Sequence, residues 1–332
     1  MPIRPAAIAA TALCFAATST AAQTPELVVY TYSSFVSDWG PGPQLEPLFE
    51  AECGCDLRFV GVQDGVVILS RLRLEGAGTE ADVALGLDTN LLAEAADTGL
   101  FAPHGVPLDG LTLPVDWTDE VFVPFDYGYF AFVYDTMAID APPASLDALV
   151  NASDAEILIQ DPRTSTPGLG LLLWMQSVFG DDAATAWETL RPRIVTVSAG
   201  WTEAYGLFLE GEAPMVLSYT TSPAYHRIAE GTDRYDAALF QDGHYLQVEE
   251  AARLASSDQP DLAQAFLAFL TSPEAQAVIP TTNWMYPVRM PAEGLPDGFD
   301  APDAVAPLLM DPSVVAENRR DWIDAWLAAM SR

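Results

Sequence analysis

Residues 160–175, QDPRTSTPGLGLLLWM, place hydroxyl side chains directly before a long apolar run. Ser165 and Thr166 precede Pro167 and Gly168, an order typical of the first turn of a helix. Backbone N–H groups and hydroxyls at a helix N-terminus suit a phosphate or another anion. They are also the ordinary means of capping a helix. The pattern predicts a helix start, and both interpretations stay open.

Aromatic residues next to small polar residues recur where predicted strands end and helices begin. They are Tyr32, Trp201, Tyr219, Tyr225 and Trp284. Aromatic faces bind flat heterocycles and attract cations, at about 0.5–2 kcal/mol per cation contact. Asp64 precedes Gly65 at another predicted helix start, where its carboxylate either caps the helix or meets a ligand. These residues fit a flat cationic heterocycle, with or without a phosphate, although each also fits a core or capping role.

Strands and helices alternate along the first part of the chain. Strands are predicted at 26–32, 56–62 and 81–87, and helices at 42–53, 64–76 and 90–100. This alternation predicts a mostly parallel sheet with helices on both faces. The α/β pattern resumes later, with further helices expected over 167–179 and 312–330.

Two β-rich segments, 120–135 and 244–255, are candidates for strands that cross between two lobes. The chain also exceeds the usual size of a single core. We expect lobe 1 to comprise 23–124 plus about 243–300, and lobe 2 to comprise 125–242 plus a C-terminal helix at about 312–332. Ligands of such sheets bind beyond the carboxyl ends of the strands, so a cleft between the lobes is the expected site.

The N-terminus has the pattern of a secretory signal, with Arg4, a short apolar stretch and small residues up to Ala22. We therefore predict that residues 1–22 are a signal peptide, that Cys14 leaves with it, and that the mature protein is exported.

The composition excludes several classes of partner and chemistry. The net charge is −33, from 47 acidic and 14 basic residues, which argues against nucleic acid and anionic membranes as partners. All basic residues are Arg, so a Walker A lysine and a Schiff-base lysine are excluded. No catalytic motif stands out, and we expect no enzymatic activity.

Cysteine and histidine usage predicts no metal site. Cys53 and Cys55 are spaced for a tight disulfide in an oxidising compartment. His104, His226 and His244 show no ligand spacing to one another.

Long motifs resemble the periplasmic thiamine-binding proteins of bacterial ABC importers, within the type II periplasmic binding protein family. They are VYTYSSFVSDWGPGP (29–43), DVALGLDTNLL (82–92), FVPFDYGYFAFVYD (122–135), QDPRTSTPGLGLLLWMQ (160–176), GWTEAYGLFL (200–209), LSYTTSPAYH (217–226), GHYLQVE (243–249) and NWMYPV (283–288). The resemblance implies two α/β lobes with mixed, mostly parallel sheets, hinge crossovers and a ligand cleft.

The resemblance also implies the ligand and its contacts. Thiamine, thiamine monophosphate or thiamine diphosphate is expected between the lobes, with no cofactor. Delivery is expected to a membrane permease and its ATPase, by a monomer in the periplasm. The implied contacts are Tyr32, Asp64, Gly65, Ser165, Thr166, Trp201, Tyr219, Thr220, Thr221, Ser222, Tyr225 and Trp284. Asp64 is the expected partner of the ligand's positive charge, and Ser165 and Thr166 are expected to receive its phosphate or hydroxyl.

Two alternatives stay open at this point. A ferric-ion binder of the same fold needs adjacent tyrosines, whereas Tyr219 and Tyr225 are separated in the sequence. A secreted thiamine-degrading enzyme needs a nucleophilic cysteine in the cleft, and Cys53 and Cys55 lie away from the predicted loop ends.

Overall fold

The computed structural model describes residues 24–301 and 305–331, so the predicted signal peptide and Cys14 lie outside the described residues. Its strands are β1 Glu26–Tyr32, β2 Asp56–Val62, β3 Val83–Asp88, β4 Val123–Asp135, β5 Ile157–Gln160, β6 Ile194–Ser198, β7 Met215–Tyr219, β8 Tyr235–Ala238, β9 His244–Arg253, β10 Tyr286–Pro287 and β11 Pro307–Leu308. Its α-helices are α1 Gly42–Cys53, α2 Gly65–Glu75, α3 Leu92–Asp97, α4 Leu146–Asn151, α5 Thr166–Phe179, α6 Ala183–Leu190, α7 Trp201–Leu209, α8 Ser222–Tyr225, α9 Pro260–Leu270, α10 Pro273–Thr282 and α11 Pro312–Met330.

The main strands form one continuous path in the order β2-β1-β3-β9-β4-β7-β5-β6. At one end β1 pairs in parallel with β2 and β3, and at the other β5 pairs in parallel with β6 and β7. The central contacts of β9 and β4 are antiparallel. Strands β1 and β3 are buried along almost their whole length, which explains their near-continuous apolar sequences. The sheet is therefore mixed, with two parallel regions joined by antiparallel strands.

Strand β4 takes part in both regions, as predicted for a crossing strand. Its first part, from Val123 to Tyr129, pairs with β9, and its second part, from Phe130 to Asp135, pairs with β7 and β8. Strand β9 then returns the chain to β3. Two strands thus connect the two halves of the molecule, a first half built on β1, β2 and β3 and a second half built on β5, β6 and β7. The exact lobe boundaries remain a prediction.

Helix α5 forms the centre of the second half. Every residue from Thr166 to Met175 is buried, including the large Trp174 side chain. Its sequence is apolar on all sides, which is typical of a helix enclosed by other elements. Its first turn is therefore held in place by core packing.

The C-terminal helix α11 contacts both halves. Arg319 forms a 2.7 Å ion pair with Glu94 of α3, and the Trp326 ring lies 6.4 Å from that of Trp187 of α6. The sequence predicts this helix in the second lobe alone, whereas these contacts show that it also touches the first half.

The predicted long elements agree with the structure to within a few residues, while several short ones were not predicted. The segment 120–135 begins its strand only at Val123, and α3 is shorter than the predicted 90–100. Strands β8, β10 and β11 and helix α8 have two to four residues each, too few for a periodic pattern to show. No helix within 24–301 or 305–331 has the length and apolarity needed to cross a membrane.

Candidate ligand-binding site

A cavity of about 310 Å³ lies between the two halves, at the ends of the strands. Its lining comes from both halves and comprises Tyr32, Ser34, Trp39, Gln63, Asp64, Gly65, Gly86, Thr166, Pro167, Trp201, Thr202, Tyr205, Gly206, Leu209, Tyr219, Ser222, Tyr225, Glu249, Asn283, Trp284 and Met285. Its size is at the lower end of the range for small-molecule sites. The cavity therefore suits one small ligand.

Nine of the predicted contacts line this cavity. They are Tyr32, Asp64, Gly65, Thr166, Trp201, Tyr219, Ser222, Tyr225 and Trp284. Ser165, Thr220 and Thr221 do not line it, because their side chains are buried behind its wall. Thr220 and Thr221 follow β7 directly, so the structure places them next to the site without exposing them to it.

Aromatic rings form the walls at two places. Trp201 stacks on Tyr205 with centroids 4.9 Å apart and lies 6.2 Å from the ring of Trp39. Tyr225 meets Trp284 edge to face at 5.3 Å. The Trp201 indole also donates from Nε1 to Ser218 Oγ at 2.8 Å, which fixes its orientation. These contacts pre-position the ring faces that a flat heterocycle would use.

Trp284 has a strained backbone. Its φ of 56° lies in the left-handed region, which a bulky residue rarely adopts. The ring is held there by near-parallel stacking on Phe299 and by the contact with Tyr225. Strain of this kind persists only when the surrounding structure enforces it, and it concentrates at functional sites.

Asp64 accepts hydrogen bonds at the starts of three helices. Its Oδ1 accepts from the backbone N–H groups of Gly65 at 2.7 Å and Thr166 at 3.1 Å, at the starts of α2 and α5. Its Oδ2 accepts from Ser165 Oγ at 2.9 Å and from the Trp201 N–H at 3.0 Å, at the start of α7. Burial raises the pKa of this carboxyl, and the four donors counteract the increase. In this structure the anion held by the Ser165–Thr166 helix start is thus a carboxylate from the other half.

Two side chains near this helix start, those of Thr166 and Arg163, differ in whether their polar atoms already have a partner in the protein. Thr166 Oγ1 is buried, has no hydrogen-bond partner in the protein, and belongs to a residue that lines the cavity. Arg163 instead pairs with Asp161, with Nε 2.9 Å from Oδ1, and lies outside the cavity. Of these two residues only Thr166 belongs to the cavity lining, and its hydroxyl oxygen lies against Gly65.

Glu249 is a cavity residue that the sequence analysis did not single out. It is 7% exposed, accepts from Tyr32 Oη at 2.7 Å and accepts from Gln247 Nε2 at 2.8 Å. Burial, and then the nearby Asp126 carboxylate, raise its pKa well above the ordinary value. A glutamate within the buried strand HYLQVEEAA was the available signal, since a charge there needs a partner or a function.

The cavity is electrostatically suited to a cation. Two carboxylates, Asp64 and Glu249, belong to its lining, and none of the described residues that line it is basic. Burial raises the pKa of Tyr32 and Tyr219 well above the ordinary value, so both phenols stay protonated and act as donors. Since Asp64 already has four donors, Glu249 has the greater need for a compensating charge.

Two glycines permit the close approach of chain segments around the cavity. A Cβ on Gly65 would lie 2.4 Å from Thr166 Oγ1 of the opposite half and 2.6 Å from the Gly86 carbonyl. A Cβ on Gly86, whose φ is 98°, would lie 2.3 Å from the Tyr32 ring. Both halves therefore meet at Gly65 only because it has no side chain.

Cys53 and Cys55 form a disulfide at the end of α1, with Cα atoms 5.2 Å apart. Neither residue lines the cavity. In the described part of the chain, no cysteine thiol is thus positioned as a nucleophile in the cleft.

Known proteins resemble this chain over nearly its full length. A family model of bacterial extracellular solute-binding proteins matches residues 31–277. A thiamine-binding periplasmic protein of Escherichia coli is 56% identical over 310 residues, covering 93% of this chain and 94% of its own. One from Brucella abortus is 54% identical over 309 residues, covering 92% of each chain.

A solved structure supports the fold as well. A periplasmic thiamin binding protein matches with a TM-score of 0.90 at 55% identity, covering 93% of this chain and 97% of its own. The two-lobe α/β fold predicted from the sequence is confirmed.

Proposed function

This chain belongs to the bacterial extracellular solute-binding protein family, and from that premise we propose that it captures thiamine between its lobes for import into the cell. The observation that carries the proposal is the composition of the cavity. Aromatic rings from both halves surround a space that contains the buried Glu249 carboxylate and no basic lining residue. Thiamine combines two flat heterocycles with a permanent positive charge on one of them, and this composition matches both features.

The two rings of thiamine would use the two aromatic groups. Trp201 with Tyr205 forms one face, and Tyr225 with Trp284 forms the other. Glu249 supplies the negative charge for the thiazolium, the role that the sequence analysis gave to Asp64. Asp64 instead joins the halves, because all four of its hydrogen bonds go to protein donors.

The hydroxyl end of thiamine would lie at the start of α5. Thr166 Oγ1 is a buried hydroxyl without a protein partner at that point. For thiamine monophosphate or diphosphate, the phosphate would be received by the helix N–H groups that Asp64 now occupies. Two anions repel each other at one helix start, so binding of a phosphate there requires Asp64 to turn away or to become protonated.

Delivery would follow the closure of the two lobes. A ligand favours closure only by making better contacts in the closed state, and this cavity draws its lining from both halves. We propose that the closed monomer is recognised in the periplasm by a membrane permease with its ATPase, after removal of residues 1–22, and that thiamine is released chemically unchanged.

The test is a thiamine titration followed by tryptophan fluorescence and calorimetry. Three tryptophans, Trp39, Trp201 and Trp284, line the cavity, so thiamine should quench emission saturably, with a Kd in about the nanomolar to micromolar range. Trp201→Phe should lose a share of the quenching, whereas Trp322→Phe in α11, outside the cavity, should retain all of it. Absence of both heat and quenching with excess thiamine would refute the proposal.

A ferric-ion site is not favoured by the geometry. The Tyr219 hydroxyl donates to Gln247 Oε1 at 2.7 Å, and Tyr225 is directed to Glu230. Within 24–301 and 305–331, no group of three or more His, Cys, Asp or Glu side chains is arranged to hold a metal. We expect no visible charge-transfer band on addition of ferric citrate; its appearance would favour the ferric alternative.

A further inference from the structure

Two carboxyl groups lie side by side beneath the cavity. Asp126 of β4 and Glu249 of β9 are directly opposite each other in the antiparallel pair β4–β9. Opposite residues of such a pair face the same side of the sheet, with Cβ atoms about 4.5–5.5 Å apart. Glu249 reaches the cavity, and Asp126 is fully buried behind it. We call these two residues the carboxyl pair.

The carboxyl pair has few donors for two negative charges. Glu249 accepts from Tyr32 Oη and Gln247 Nε2, and Asp126 Oδ2 accepts from Asn283 Nδ2 at 2.6 Å. Asp126 Oδ1 is buried without a partner. Two carboxylates this close, out of water, do not both ionise.

The groups that face the carboxyl pair from neighbouring elements add negative charge or remain neutral. Asp88 of β3 and Asp64 at the start of α2 both raise the pKa of Glu249 through their charge. The phenols of Tyr32 on β1 and Tyr219 on β7 stay protonated. The positive charge of Arg319 acts on Asp88, where it lowers the pKa of that carboxyl. The pair is therefore most stable when it holds a proton.

We infer that the carboxyl pair stores a proton that leaves for solvent when a permanently cationic heterocycle enters the cavity. The carboxyl O–H bond of Glu249 or Asp126 breaks, its electron pair stays on oxygen, the proton passes to water or buffer, and the carboxylate faces the ligand's positive charge. The site thus exchanges one positive charge for another, and it discriminates against neutral ligands of the same shape. This inference rests on the proposed thiamine binding and adds Asp126 as a positioning residue that acts through Glu249.

The sign of the pH dependence follows from this exchange. The ligand's charge lowers the pKa of the pair, so the complex carries fewer protons than the free protein. Rising pH therefore favours binding, by about tenfold per pH unit for each proton released. The dependence ends once the pair of the free protein is itself ionised. A neutral ligand leaves the pair protonated and has no such dependence.

The test is calorimetry of the full mature chain in buffers with different ionisation enthalpies, between about pH 6 and about pH 9. The probes are thiamine and its neutral isostere, in which a thiophene replaces the thiazolium. The observed heat for thiamine should vary with the buffer by an amount that corresponds to about one proton released per ligand. The heat for the isostere should be the same in every buffer.

Three variants locate the proton. Glu249→Gln should weaken thiamine binding by about tenfold or more while barely affecting the isostere, and should abolish proton release. Asp126→Asn removes the neighbouring charge, so it should move the pH dependence of thiamine affinity to lower pH and reduce proton release at neutral pH. Glu250→Gln is the matched control, because Glu250 is also a buried acid with a raised pKa on β9 but lies on the opposite face and outside the cavity. It should match the wild type.

The outcomes separate this inference from the proposed function. If thiamine binds with heats that do not depend on buffer and a Kd that does not depend on pH, the inference fails and the proposed function stands. Unchanged proton release in Glu249→Gln and Asp126→Asn also overturns it. If no thiamine binds at any pH, both fail. Should one variant not fold, the other variant and the wild-type buffer series still decide.

Discussion

The aromatic side chains that line the cavity are held in place by other groups of the protein. Trp201 is fixed by its hydrogen bond to Ser218 and its stacking on Tyr205, and Trp284 by its packing on Phe299. Thr166 differs because its hydroxyl has no partner in the protein. The fixed rings provide shape, and in our proposal the unpartnered hydroxyl provides a polar contact to the ligand.

Replacement of Trp284 should separate its two roles. Trp284→Ala and Trp284→Gly both remove the ring and should weaken thiamine binding to a similar extent. Glycine tolerates the positive φ of 56° and alanine does not, so the glycine variant should be more stable by about 1 kcal/mol. Urea denaturation and thiamine titration measure the two effects. An alanine variant at least as stable as the glycine variant would show that this backbone is not strained.

Thr166→Val should weaken thiamine binding by about threefold to tenfold, because it removes the hydroxyl that we propose as a ligand contact while preserving the shape of the side chain. Thr31→Val is the control, since Thr31 Oγ1 is likewise buried and unpartnered but lies away from the cavity. Calorimetric titration of both variants with thiamine measures the two affinities. Equal affinity in the two variants would exclude a ligand contact at Thr166.

At the scale of elements, the starts of α2, α5 and α7 converge on the Asp64 carboxylate. Helix N-termini carry partial positive charge and unsatisfied N–H groups, so one carboxylate can stabilise several at once. Helix α2 belongs to the first half, and α5 and α7 belong to the second. The hydrogen bonds of Asp64 therefore hold the halves together at the cavity, and they need a close approach at Gly65.

Gly65→Ala should hinder closure of the cleft. Its Cβ would meet Thr166 Oγ1 and the Gly86 carbonyl at distances that no packed atoms adopt. Thiamine affinity should fall by about tenfold or more, because binding would have to separate these segments. Gly78→Ala is the control, since its Cβ would meet nothing within 4 Å. Small-angle scattering with thiamine should show a more open molecule for Gly65→Ala only. A compact complex with wild-type affinity would contradict this.

At the scale of the whole molecule, acidic side chains are buried where the two halves meet. Burial raises the pKa of Asp64, Asp126, Glu249 and Glu250, and it raises that of Asp88 to about 6. These groups bind protons more tightly in the folded than in the unfolded chain. The net charge of −33 adds general repulsion when they ionise.

The folded protein should therefore be more stable in mild acid than above neutral pH. A carboxyl whose folded pKa is raised contributes stability below its unfolded pKa, and this is lost as pH rises through the folded value. For Asp88, whose pKa rises from 3.8 to about 6, the full loss is about 3 kcal/mol, and roughly half of it falls above about pH 5. Thermal unfolding at about pH 5 and about pH 8 measures the difference. A higher Tm at the more alkaline pH would contradict it.

The sequence was sufficient to predict most of the local structure and most of the residues that line the cavity among the proposed contacts. The alternation of elements, the helix start at Ser165–Thr166 and the crossing strand within 120–135 follow from periodicity and capping, which depend on neighbouring residues. Nine of the twelve proposed contacts line the cavity, because loop ends after strands are where ligands bind in this class of sheet. Short elements such as β10 and α8 were missed because two to four residues carry no periodic signal.

Local sequence is enough to predict which helix start can hold an anion, whereas the identity of the anion it holds here depends on the folded structure. Ser165 and Thr166 offer donors through local geometry, but the carboxylate of Asp64 arrives from the other half of the fold. The same is true of Asp126 and Glu249, which lie far apart in the sequence and become partners through the register of β4 and β9. Charges interact through space at short range, so their pairing depends on folding and not on chain position.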